Sequence, residues 1–196
     1  QMCIRDRADR THAIASRYGR APMAKTLVLT FIADDRPGLV ERLSDTVAEA
    51  GGNWLESRMV HLAEKFAGLA RVELPDARVA GFRTAASRLA EQGFRLTVEE
   101  AATTAPEPDG PVFNLDLVGP DRPGIVRDIA HCLAARGVSV EEMETDMRGA
   151  PMGGEPLFYA RARVRVPVGL AADDLRDALE SLAATLMVDV ALRDPA

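Results

Sequence analysis

A six-residue string, Asp35-Arg36-Pro37-Gly38-Leu39-Val40, returns 86 positions later as Asp121-Arg122-Pro123-Gly124-Ile125-Val126. The similarity extends on both sides. Leu27 to Ile32 aligns with Phe113 to Val118 at the same offset, Gly51 with Gly137, and Asn53 with Ser139. Further along, Phe66-Ala67-Gly68-Leu69-Ala70-Arg71-Val72 matches Phe158-Tyr159-Ala160-Arg161-Ala162-Arg163-Val164 at an offset of 92. The six extra residues fall around Gly149 to Pro156, a Gly- and Pro-rich stretch that belongs in a surface loop. Such self-similarity makes each half one copy of a single supersecondary plan, so an acceptable fold must satisfy both copies at once.

Each half reads as β-α-β-β-α-β. Phe113, Leu115 and Leu117 alternate with Asn114 and Asp116, the period of a strand covered on one face. In the first half Leu27, Leu29 and Phe31 alternate with Val28, Thr30 and Ile32. That second set is itself fairly apolar, which hints that another chain or domain covers it. After each Pro-Gly the period becomes helical, with stripes Leu39, Val40, Leu43, Val47 and Ile125, Val126, Ile129, Leu133. Gly51 and Gly137 stop these helices at the C′ position. Second helices follow on Val79, Phe82, Ala86, Leu89 and on Leu175, Leu179, Leu182, Leu186, and short strands close the units near Arg95–Val98 and Met187–Leu192. The predicted class is α+β: two ferredoxin-like βαββαβ modules, each an antiparallel sheet with both helices on one face. The opposite face and the sheet edges are left to pair with something else.

Two segments fall outside the repeat. Residues 101–111, Ala-Ala-Thr-Thr-Ala-Pro-Glu-Pro-Asp-Gly-Pro, carry no large apolar side chain to offset the entropy of ordering and read as a linker. It separates a first domain at 24–100 from a second at 112–194. Residues 1–22 hold five arginines against Asp6 and Asp9, a charge of +3 in a chain whose total is −6, so the remainder carries −9. This leader lacks the apolar core of a secretory signal, and the two aspartates weaken an Arg-rich transit peptide. Its opening Met2-Cys3-Ile4-Arg5-Asp6-Arg7 resembles translated adapter sequence. Met23 is the expected native start, and residues 1–22 are set aside as a non-native or disordered leader.

The acidic body disfavours direct nucleic-acid binding, which wants a basic footprint. No apolar run reaches the ~18 residues of a membrane span. Two cysteines, Cys3 and Cys132, build neither a disulfide framework nor a four-ligand zinc site. These features point to a cytoplasmic protein. His12, His61 and His131 share no ligand spacing with Cys or carboxylates, so no metal and no cofactor is expected. No nucleophile is accompanied by a base and an orienting group. Cys132 reads as a small buried thiol, and Trp54 as core or interface packing. Arg71 and Arg163, mid-strand in both repeats, face either a ligand or solvent, with solvent the simpler reading.

The chemistry that stands out is the repeated turn. Proline at the first helical position has its φ preset, and the glycine after it admits a close approach. The N–H groups of Gly38 and Leu39, or of Gly124 and Ile125, would then point outward from a positive helix end suited to a carboxylate. The alternative is a well-made strand-to-helix turn with no ligand. Asn53 can both donate to a carboxylate and accept from an ammonium, whereas Ser139 manages only part of that pattern. The first half is therefore the preferred binding site.

A βαββαβ repeat with Asp-Arg-Pro-Gly opening helix one and Gly51-Gly52-Asn53 opening strand two resembles the ACT domain, over about residues 24–194. Residues 51–66 and 150–158 are more specifically similar to the glycine cleavage system transcriptional repressor group. The resemblance implies a regulatory module that binds amino acids at interfaces between paired modules. The family's ligand positions fall on Asp35, Pro37, Gly38, Leu39 and Asn53, and on Asp121, Pro123, Gly124 and Ile125, with Ser139 a departure. It implies a small amino acid as ligand, with glycine the candidate, a homodimer or higher homo-oligomer, and control of transcription through a DNA-binding protein partner. Two other readings stay open: a ligand-free ACT module that only drives dimerisation and docking, and a small enzyme whose site the sequence hides.

Overall fold

The computed structural model describes residues 24–101, 109–149 and 154–194. The leader and most of the linker lie outside them. The chain divides into two compact units. The first contains β1 (Ala24–Asp34), α1 (Leu39–Glu49), β2 (Asn53–Leu62), β3 (Lys65–Pro75), α2 (Asp76–Leu89), a 3-10 turn (Ala90–Gln92) and β4 (Arg95–Glu100). The second contains β5 (Val112–Pro120), α3 (Ile125–Ala134), β6 (Ser139–Arg148), β7 (Leu157–Arg165), α4 (Ala172–Leu186) and β8 (Asp189–Arg193). The sheets run β2-β3-β1-β4 and β6-β7-β5-β8, and every described neighbour pair is antiparallel. These are the two ferredoxin-like βαββαβ modules that the repeat predicts.

The duplication reaches the level of register. Leu27 faces Val72 and Phe113 faces Val164. A bulge between Trp54 and Glu56 recurs between Val140 and Glu142. In the first hairpin Leu62 faces Lys65 across two residues, while in the second Arg148 faces Leu157 across eight. That difference accounts for the six-residue growth in offset, although residues 150–153 of the longer connection lie outside the described ones. In each module one face of the sheet and the helices enclose the core, and none of the described polar or charged side chains is buried. Leu27, Leu29 and Phe31 meet Leu39, Leu43 and Val47 from α1 and Val79, Phe82 and Leu89 from α2. Fully burying each such side chain contributes about 1.5–3 kcal/mol.

The helical stripes are narrower than the sequence suggests. Val40 and Val126 are exposed, at 45% and 40%, because each follows the buried first residue of its helix by one position and so sits about 100° around the axis. In α4, Ala183 is buried and Leu182 only partly so. The closing strand of the second module begins at Asp189, not at Met187. Met187 caps α4 in the left-handed conformation (φ 56°), with 77% of its surface exposed.

The same cap after the 3-10 turn is Gly93 (φ 87°). A left-handed residue with a Cβ costs ~1–2 kcal/mol, which glycine avoids in part by losing more backbone entropy. Met187→Gly is therefore expected to stabilise the second module by about 0.5–1 kcal/mol, read as a rise in denaturation midpoint at unchanged slope.

Candidate functional site

The Asp-Arg-Pro-Gly turn leads from the first strand of each module to its first helix. Gly38 has φ 88° and ψ 5°, and Gly124 φ 92° and ψ 0°. These values match the third residue of a type II turn, for which Pro-Gly is the favoured central pair. The expectation that proline occupies the first helical position is thereby corrected: Pro37 precedes an N-cap glycine, and the helix begins at Leu39. Gly38 O accepts from Arg42 N at 3.1 Å and Gly124 O from Asp128 N at 2.9 Å. Glycine offers no side-chain oxygen, so no side chain of the N-cap residue satisfies the first-turn N–H groups in either module.

The surroundings of the two turns differ in sign. In the first module Glu41, on the first turn of α1, brings a carboxylate oxygen to 3.6 Å from where a Gly38 side chain would begin. Arg36 donates to the Gln92 carbonyl and Arg42 to Gln92 Oε1 (3.0 Å), anchoring the turn to the 3-10 segment. In the second module these charges exchange places. Arg127 stands where Glu41 is, with its guanidinium 3.0 Å from the start of a side chain on Gly124. Asp128 binds Arg127 (2.8 Å) and Arg122 (3.5 Å). Glu41 is exposed, as is the Arg127 side chain at 78%, so both can swing away and neither plugs its turn.

Beside the first turn lies a cavity of about 360 Å³ lined by Asp34, Asp35, His61, Ala63, Glu64 and Lys65, within the range of small-ligand sites. Strand order builds it. β1 and β2 both run antiparallel to β3, so the end of β2 returns to the level where β1 ends. Asp35 N donates to Glu64 O at 2.9 Å, and His61 Nε2 lies 3.6 Å from Asp35 Oδ2. Lys65 pairs with Asp34 and holds its carboxyl below the usual carboxylate range. The hairpin tip, Ala63-Glu64, has positive φ at both residues (48° and 61°), as a type I′ turn demands, without the usual Asn or Gly. Of this group the sequence singles out only Asp35. His61, Glu64 and Lys65 would have emerged from placing the β2–β3 hairpin beside β1.

The same strand order separates the other predicted residues. Asn53 opens β2 opposite Glu73, which faces Thr26 on β1. Eight residues of strand, about 26 Å, divide that level from Asp34. Ser139 is equally remote from Gly124, opposite Arg165 and Val112 at the start of β5. Thus Asp35, Pro37, Gly38 and Leu39 come together, as do Asp121, Pro123, Gly124 and Ile125, but Asn53 and Ser139 stand at the opposite ends of their own modules.

Arg71 and Arg163 lie on the outer sheet faces, paired with Glu56 (3.2 Å) and Glu141 (3.4 Å), and are about half exposed, in keeping with the solvated reading. Cys132 packs partly against its core and its sulfur takes a contact from Arg136 at 3.3 Å. Trp54 packs against the first core. Among the described residues no group of three His, Cys, Asp or Glu side chains is placed to hold a metal ion, and no helix is long and apolar enough to cross a membrane.

The ACT domain family model matches residues 25–99, the first module. A crystal structure of an unknown protein from Galdieria sulphuraria is 29% identical and superposes with a TM-score of 0.78, over 89% of this chain and 100% of that one. A crystal structure of a "putative glycine cleavage system transcriptional repressor" is 18% identical with a TM-score of 0.64, over 87% and 97% of the two chains, which is a likeness of fold. A formyltetrahydrofolate deformylase from Pseudomonas putida KT2440 matches only 43% of this chain and 29% of its own, with a TM-score of 0.37, too partial to carry an argument. No curated protein matches the chain in sequence.

Proposed function

We propose that the chain, whose first module matches the ACT domain family model over residues 25–99 and whose second repeats the same fold, is a tandem of two regulatory ACT modules and a non-catalytic sensor of a small amino acid, with glycine the first candidate. The ligand carboxylate meets the N–H groups of Gly38 and Leu39, and its ammonium meets Asp35. The observation that carries this reading is the left-handed Gly38 turn, uncapped by its own residue, with Asp35, three residues before it, lining a cavity of about 360 Å³. Asn53, about 26 Å away along its own module, acts on a ligand held by the turn of a second copy of the chain, which requires copies to pair. Asp121, Pro123, Gly124 and Ile125 form the second candidate turn, with Ser139 the weaker counterpart of Asn53.

On this reading the protein works in the cytoplasm as a homodimer or higher homo-oligomer. Ligand occupancy alters its association with a DNA-binding protein partner and so affects transcription, after the manner of a glycine cleavage system repressor. The chain's net charge of −6 supports an indirect route. A mobility-shift assay checks it: purified protein leaves DNA unshifted, and tight salt-sensitive binding to DNA alone would defeat it.

Titration calorimetry with a panel of amino acids tests the sensor itself. Saturable heat for a small amino acid is expected. Silence across the panel at millimolar concentration would favour a ligand-free interaction module. The same titration locates the carboxylate. Glu41 competes with it for the helix end, so Glu41→Gln is expected to raise affinity up to about fivefold, the equivalent of ~1 kcal/mol of charge interaction at a helix terminus. Unchanged or weakened binding would place the ligand elsewhere.

A further inference from the structure

The hairpin corner beside the first turn is built from ionisable side chains, and its counterpart in the second module is not. Asp34 faces Lys65 across the β1–β3 ladder, and His61 on β2 faces Phe66. At the same ladder positions the second module carries Pro120 opposite Leu157, and Met147 opposite Phe158. One template has produced an ionic corner and an apolar one. Within the ionic corner the charges are shared unevenly. Lys65 pairs with Asp34, and Arg36 is turned to the Gln92 carbonyl. Among the described residues, the one basic group within 4 Å of the Asp35 carboxylate is His61, whose Nε2 lies 3.6 Å from Oδ2. That separation is too long for a hydrogen bond and short enough for a charge contact. The two side chains are 58% and 46% exposed, so either can move aside.

We infer that His61 gates the first-module site through Asp35: as imidazolium it occupies the carboxylate that a ligand ammonium needs, and as neutral imidazole it releases it. The inference rests on the amino-acid-sensing reading and deepens it. It gives the first site a dependence on pH that the second turn lacks, because Met147 stands at the corresponding position. The sign follows from the charges. Among ordinary side chains only imidazole changes charge between pH 5 and 8, and a free amino acid stays zwitterionic over that range. The other charged groups of the corner are Glu64, the Asp34–Lys65 pair, and Arg95, which lies on β4 opposite Ile32. They are carboxylates, an ammonium and a guanidinium, classes that titrate outside it. Protonated His61 therefore opposes the ligand twice, by neutralising Asp35 and by repelling the ammonium, and affinity rises with pH. An exposed ion pair supports an effect of up to about fivefold.

Titration calorimetry of the full chain with glycine, alanine and serine, at about pH 5.5 and about pH 7.5, tests the gate. Whichever of the three binds is expected to do so about three- to fivefold more tightly at the higher pH. His61→Gln, neutral at both, should bind at the lower pH as the unsubstituted chain does at the higher. His61→Lys, charged at both, should keep the weaker affinity throughout. Coupling of this kind is reciprocal, so saturation with the bound amino acid should move the His61 ring titration, followed by nuclear magnetic resonance, to lower pH. That measurement needs no variant and decides alone should the substituted chains not fold, since an unmoved titration overturns the gate. Equal affinity at the two pH values, or a pH dependence that survives His61→Gln, also overturns the gate and leaves the sensor reading intact. Silence from all three amino acids at both pH values overturns the sensor reading and the gate with it.

Discussion

Gly68→Ala is expected to destabilise the first module by about 3 kcal/mol, the upper part of the usual range for overpacking. Gly68 lies in β3, an inner strand of its sheet, opposite Phe31 on one side and Met59 on the other. A Cβ there would lie 2.6 Å from the Arg58 carbonyl oxygen, 2.9 Å from Met59 Cγ and 2.9 Å from the Phe31 ring. The first of these is main chain in a paired neighbouring strand and cannot retreat without opening the ladder. Phe31 is held as well, 3% exposed and 5.9 Å from the Phe66 ring. The second module carries Ala160 at the corresponding position, opposite Leu117 in place of Phe31. Glycine is thus matched to the larger aromatic, and alanine to the smaller leucine. For a unit of this size the loss amounts to a fall of roughly 15 °C in the first module's melting temperature. A loss under about 1 kcal/mol would mean the strands separate more easily than their pairing suggests.

The course of the chain was legible wherever the signal is local and periodic. Alternation in Leu27, Leu29 and Phe31 identifies β1, and the 86-residue offset predicts β5 from it. Val40 and Val126 misled because an apolar residue beside a buried one looks like part of the stripe, and only the packing of α1 and α3 on their sheets shows how narrow the buried side is. Pro-Gly was ambiguous for a different reason. The same pair can open a helix or occupy the centre of a type II turn, and the positive φ of Gly38 and Gly124 chooses the second. Met187 was hidden because the offset grows once more, to 94, where Leu115 faces Leu192 as Leu29 faces Val98. At that offset Met187 falls on Gly93, and its left-handed cap follows.

The candidate site was legible only in its contiguous part. Asp35, Pro37, Gly38 and Leu39 are neighbours in sequence and remain neighbours in space. His61, Glu64 and Lys65 reach Asp35 through the order β2-β3-β1, which no short motif encodes. Asn53 shows the converse. It follows α1 closely in sequence, yet an 11-residue helix carries the chain the length of the sheet before β2 starts. Proximity along the chain was a poor guide at a helix and a good one at a turn.

Gly38→Val brings the fold and the proposed function to one residue. At φ 88° a β-branched side chain is a steric outlier, and the left-handed conformation alone costs ~1–2 kcal/mol. Space is not the obstacle, because among the described residues, chain neighbours aside, the atom that comes within 4 Å of the new Cβ is the movable end of Glu41. The penalty is therefore conformational, expected at about 2 kcal/mol, and the chain relieves it by rotating the 36–39 peptides away from the type II turn. That rotation redirects the Gly38 and Leu39 N–H groups, so amino-acid binding should weaken at least about tenfold, one fully lost charge-assisted hydrogen bond being worth ~1.5–3 kcal/mol. Gly81→Ala supplies the comparison: beyond its chain neighbours and the backbone of its own helix, no described atom lies within 4 Å of its Cβ, it is exposed on α2, and it should bind as the unsubstituted chain does with stability raised by up to ~1 kcal/mol. Calorimetry and denaturant unfolding on the two variants separate the contributions. If Gly38→Val loses stability but keeps its affinity, the turn is structural alone and the carboxylate docks elsewhere.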